Sequence, residues 1–66
     1  MQDAIEEHIR IAQHIMRETA NELESFKTFN EPGRTYLLES SQKQLTDAYK
    51  RVTAAKIQYA NQNREE

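Results

Sequence analysis

Apolar residues in the first half of the chain fall at Ile5, Ile9, Ala12, Met16, Thr19, Leu23 and Phe26, with Thr19 as the one polar entry. The steps alternate between four and three, the spacing of a heptad seam along one face of a helix. The second half repeats the pattern at Leu38, Ser41, Leu45, Ala48, Val52, Ala55 and Tyr59, with Ser41 as its polar entry. Neither half alternates with a period of two, so strands are not expected. The only proline and the only glycine, Pro32 and Gly33, stand between the two seams. The pattern predicts one domain over 1–66: helix 1 at about 3–28, a turn at about 29–33, helix 2 at about 31–62 and a frayed polar tail at 63–66.

A link this short forces the helices antiparallel, so the expected fold is all-α, a helical hairpin of antiparallel coiled-coil type. Asp3 with Glu6 three residues later reads as a cap and capping box for helix 1. Asn30 reads as the N-cap of helix 2 with Pro32 in its first turn, and Lys27 as a cation near the end of helix 1. Folding the chain at Asn30, Pro32 and Gly33 sets Leu23 beside Ser41, Thr19 beside Leu45 and Met16 beside Ala48. The same fold sets Ala12 beside Val52, Ile9 beside Ala55 and Ile5 beside Tyr59. Nearly every layer pairs a large with a small side chain, the condition for interdigitation. These seam residues form the expected intra-hairpin core. Phe29 and Tyr36 flank the bend and are expected to close its end.

Helix 1 carries more apolar surface than one partner helix covers. Ile11 and Ile15 lie beside the seam, with Ala4 and His8 extending the stripe; helix 2 adds Leu37, Tyr49, Ala54 and Ile57. A chain of 66 residues builds a marginal core, and with no cysteine it has no disulfide or thiolate metal site to reinforce it. The expectation is association through Ile11, Ile15, Tyr49 and Ile57. The partner is a second copy, giving a homodimeric four-helix bundle, or a helix of another protein.

Charge narrows the function classes. The formal net charge is −2, but residues 1–33 carry seven acids and three bases, while residues 34–66 carry four acids and six bases. The halves are thus −4 and +2, complementary across a hairpin. This is not the basic profile of a general nucleic-acid binder, although Lys43, Lys50, Arg51 and Lys56 with Tyr36, Tyr49 and Tyr59 give helix 2 a basic, aromatic character. No apolar run is long enough to span a bilayer and no hydrophobic signal core is present, so a cytoplasmic setting is expected. His8 and His14 are six residues apart and do not share a helix face; His14 with Glu18 is one i,i+4 pair, too few ligands for a metal. One glycine excludes a phosphate loop, and Ser40 and Ser41 have no base positioned to activate them. No cofactor, metal or catalytic residue is expected, and the reading is a small interaction or regulatory module.

Three resemblances bear on this. The length, the hairpin and the alternation of large and small layers resemble the plasmid RNA-binding Rop proteins, which implies a helical dimer able to bind RNA. The pattern Ala20-x-x-Leu23-Glu24-x-Phe26, a break with Asn30 and Pro32, then Leu37, Gln42 and Gln44 resembles short two-helix proteins of Bacillus-type Firmicutes that form a domain of unknown function. Here Glu31 and Gly33 surround the proline where those proteins run Asn-Pro. Ser41-Gln42 followed by Leu45 and Asp47 is similar to the helix 2 signature Ser-Gln-Glu-Leu-Asp of small sporulation response-regulator phosphatases, with the leucine and the acid displaced. That similarity implies hydrolysis of an aspartyl phosphate on a receiver domain.

Overall fold

The structure, a computed structural model, describes residues 2–64, with the side chains of residues 3–63. Its elements are helix α1 (Gln2–Leu23), a 3₁₀ turn (Phe26–Thr28) and helix α2 (Gly33–Arg64). The two helices pack against one another as a hairpin, with no strand among the described residues. The Cα trace extends 54 × 14 × 11 Å, two helices long side by side and one helix thick.

Helix α1 stops at Leu23, five residues earlier than the periodicity predicts. The segment after it is rich in side chains that compete for backbone groups. Glu24 and Ser25 donate their amides back to the carbonyls of Asn21 and Glu22, i→i−3 bonds that tighten the last turn. The Thr28 hydroxyl donates to the Ser25 carbonyl at 2.6 Å. Phe29 is extended, at φ −96° and ψ 148°, and carries the chain out of the turn.

Helix α2 begins at Gly33, directly after Pro32, and its first i→i−4 bonds reach back to residues before it. The Pro32 carbonyl accepts the Tyr36 amide at 3.0 Å, and the Asn30 backbone carbonyl accepts the Arg34 amide at 3.1 Å. A proline before the first helical residue loses nothing, since that amide would be unpaired in any case. Asp3 likewise lies inside the first turn of α1, which starts at Gln2, so it faces the helix dipole without capping it. Of the predicted tail, 63 and 64 continue α2; 65 and 66 lie outside the described residues.

Where the core sits is the main departure from the sequence reading. The buried residues are Ile5, Ala12 and Thr19 on α1, and Leu37, Ser41, Ala48 and Ala55 on α2. In every expected layer the smaller residue is the buried one. Ala12 is 1 % exposed against 47 % for Val52, Ala48 3 % against 43 % for Met16, and Thr19 1 % against 44 % for Leu45. Ala55 and Ile5 are also buried while Ile9 and Tyr59 stay exposed; Ser41 is buried and Leu23 half-buried. Leu38 is exposed and Phe26 half-buried. The expected intra-hairpin core is therefore corrected at Ile9, Met16, Leu38, Leu45, Val52 and Tyr59. The physical reason is that Ala, Ser and Thr at seven-residue intervals let the two backbones approach closely. Along the middle of the hairpin the large side chains stand beside this seam of small residues, while Ile5 and Leu37 are the large residues buried nearer its two ends.

Candidate interaction face

Those displaced large side chains share one side. Ile9, Met16 and Leu23 recur every seven residues on α1, as do Leu38, Leu45, Val52 and Tyr59 on α2. Seven residues are nearly two full turns, so each set is a stripe. Near the turn, Leu23 of one stripe and Leu38 and Leu45 of the other line one open groove with Ser41, Gln42, Thr46 and Tyr49, so there the two stripes face the same way. The result is an apolar face along the length of the hairpin, with Ser41 at its floor. The Ser41 hydroxyl is buried and has no hydrogen-bond partner.

The opposite side is held by polar bonds at the same seven-residue intervals. Gln44 Nε2 donates to Glu22 Oε1 at 3.2 Å, and Thr19 Oγ1 lies 2.6 Å from Gln44 Oε1 and 2.8 Å from the Ile15 carbonyl. A hydroxyl has one proton, so Thr19 donates to one of these acceptors at a time. Nearer the N-terminus, His8 Nδ1 and Nε2 lie 3.3 Å from Arg51 and from Gln58. Thr19 and Glu22 therefore meet Gln44, and His8 meets Arg51 and Gln58. This polar ladder pins the register of the hairpin, because sliding by one turn would break four cross-helix contacts together. Thr19 is buried in the seam as its position predicts, and its bond to Gln44 is the part that sequence reasoning missed, although a polar residue in mid-seam is the signal of a register device.

The expected interface of Ile11, Ile15, Tyr49 and Ile57 is not brought together. Ile11 and Ile15 are half-buried, Ile15 within the polar ladder. Tyr49 is 73 % exposed and lines the apolar groove on the other side. Ile57 is 53 % exposed and turned about 80° around α2 from Tyr49 at 100° per residue.

The closed end of the hairpin is built by Arg34, which the sequence did not single out. Its Nε donates to the Phe26 carbonyl at 3.0 Å, a terminal nitrogen reaches the Lys27 carbonyl at 3.4 Å, and the guanidinium lies 4.7 Å from the centre of the Phe26 ring. This cation meets carbonyls of the turn, the Phe26 one shared with the Phe29 amide, and takes the place expected of Lys27 as the cation at the end of helix 1. Phe29 packs against Gly33, whose hypothetical Cβ would meet the Phe29 Cβ at 3.4 Å. Phe29 and Tyr36 line a second groove at this end with Ser25, Leu37 and Gln44, so they border the core instead of sealing it.

Ser41, Gln42 and Asp47, the residues of the phosphatase-like signature, are not brought to one surface. Ser41 is buried, whereas Gln42 and Asp47 are exposed and about 140° apart around α2. Among the described residues no group of three or more His, Asp or Glu is placed to hold a metal, and no helix is long and apolar enough to cross a membrane. Among the bases, Arg51 is engaged with His8, and Arg10 pairs with Glu7. The chain matches no family model, no curated protein and no solved structure.

Proposed function

We propose that the chain is a non-catalytic, self-associating interaction module, two copies of which join their apolar faces into a four-helix bundle. The observation that carries this reading is the division of the layers at Ile9, Ala12, Met16 and Thr19 into a buried small residue and an exposed large one. A hairpin that ended its assembly as a monomer would gain by placing its large apolar residues in the seam. Here they are held outside it, in register, on one side.

Size agrees. A 54 × 14 Å face is roughly 750 Å² per copy, so two copies bury about 1,500 Å², within the range of stable specific interfaces. Ser41 would then lie inside the bundle beside Leu23. Sedimentation equilibrium at micromolar concentration tests the proposal. A species of twice 7.8 kDa supports it, and a stable, cooperatively folded single hairpin would sink it.

A further inference from the structure

Resting on that self-association, we infer that the two hairpins join with both turns at the same end, so that α1 of each copy lies against α2 of the other. The apolar face alone does not choose. Two hairpins can meet on it with their turns together or at opposite ends, and in either case neighbouring helices run antiparallel. The arrangements differ in which helices become neighbours. With turns at opposite ends, α1 lies against α1 and α2 against α2; with turns together, every contact between copies is α1 against α2.

Charge separates them. Helix α1 carries five acids (Asp3, Glu6, Glu7, Glu18, Glu22) and two bases (Arg10, Arg17), a net of −3. Helix α2 carries two acids (Glu39, Asp47) and six bases (Arg34, Lys43, Lys50, Arg51, Lys56, Arg64), a net of +4. Packed helices lie 8–10 Å apart, about one Debye length at moderate salt, so these helix charges act across the interface. Turns at opposite ends set −3 beside −3 and +4 beside +4. Turns together set −3 beside +4 twice.

The residues bordering the apolar face agree with the helix totals. Glu6 lies about 60° outward from Ile9 and Lys56 about 40° outward from Val52, at 100° per residue. The cross-helix pairs Thr19–Gln44, Glu22–Gln44 and His8–Gln58 fix the levels of the two helices. They put Glu6 within about one turn of the level of Lys56. With turns together, Glu6 therefore stands beside the partner's Lys56 on both borders of the interface. With turns at opposite ends and full overlap, Glu6 stands beside the partner's Glu24.

The chain has no native cysteine, so one introduced thiol reports cleanly. A spin label on Asn30→Cys, an exposed turn position whose side chain makes no bond, is measured by pulsed dipolar spectroscopy. Turns together place the two labels about 20 Å apart, two helix spacings. Turns at opposite ends separate them by nearly the full 54 Å length. Charge reversal supplies an opposite sign for each case. At low salt Glu6→Lys is expected to weaken the dimer about fivefold, and Lys56→Glu in the same chain to restore it. A distance near 50 Å, or a dimer strengthened by Glu6→Lys, overturns the arrangement while leaving self-association intact. A single hairpin in sedimentation with no dipolar coupling overturns both.

Discussion

Leu45 stands at the middle of the apolar face and is 44 % exposed in the single hairpin. Full burial of a leucine side chain is worth about 1.5–3 kcal/mol, so covering the remaining 44 % contributes about 0.7–1.3 kcal/mol per copy. Two copies lose this together, and Leu45→Ala is expected to cost the dimer about 1.3–2.6 kcal/mol. At 1.4 kcal/mol per tenfold, the dissociation constant rises about ten- to seventyfold. Alanine has the highest helix propensity, so the hairpin itself should keep its helicity. The comparison is Ile57→Ala, which removes a similar apolar surface, 53 % exposed, from a position around the helix from the face. It is expected to leave association within about twofold, as a surface change away from the contact does. Sedimentation across a concentration series reads both, with circular dichroism as the control on helicity. An unchanged constant for Leu45→Ala would refute the reasoning, as would an Ile57→Ala variant weakened to the same degree.

Three further changes probe the fold. Ser41→Ala removes a buried hydroxyl with no partner and improves helix propensity, so it should stabilise by about 0.5–1 kcal/mol in denaturant unfolding; a loss of stability would mean that the hydroxyl is bonded in the folded protein. Arg34→Lys gives up the planar fork that serves the Phe26 and Lys27 carbonyls and weakens the stacking on Phe26. It should lower stability by about 1–2 kcal/mol, and an unchanged thermal midpoint would show that the end of the hairpin does not depend on it. Gly33 sits in the first turn of α2 with no positive φ, and an added Cβ meets Phe29 in ordinary contact. Gly33→Ala should therefore stabilise by about 0.4–1 kcal/mol through the unfolded chain, and a destabilised variant would show that Phe29 packs closer than the structure has it.

The architecture was legible in the sequence because both kinds of signal agreed. Four-three steps run through each half, and Pro32 with Gly33 interrupts them once. The pairing of large with small residues was also legible, because the turn leaves little freedom in the layers. What periodicity could not say is which residue of a pair lies between the helices. A seam of alternating positions points towards a neighbour, but its pattern is the same whether one helix or three surround it. Ala12, Ala48 and Ala55 decide this by their size, through the backbone approach that they allow. Hence periodicity alone marks Ile9, Met16, Leu45 and Val52 as covered by the partner helix, whereas in the hairpin they stay exposed. The end of α1 at Leu23 was missed for a different reason. Glu24 and Ser25 fit the apolar period as well as any exposed pair, and the stop comes from i→i−3 backbone bonds and Thr28, which leave no trace in hydropathy. Arg34 escaped notice because its partners are backbone carbonyls, present at every position and marked by no residue type.

These corrections change what the turn does. Asn30, Pro32 and Gly33 set the level of one helix against the other, and the ladder through Thr19, Gln44 and His8 keeps it. Together they present seven large apolar side chains on one side, where an assembly can use them.

The central claim is that a second copy covers this face. Nuclear Overhauser effects filtered for contacts between isotopically distinct copies test it most directly, read at the methyls of Met16, Leu45 and Val52. The account predicts cross-copy contacts among these methyls and none to Ile57, whose methyls lie around the helix. A spectrum with no cross-copy contact, from a sample that sediments as one 7.8 kDa chain, would contradict it.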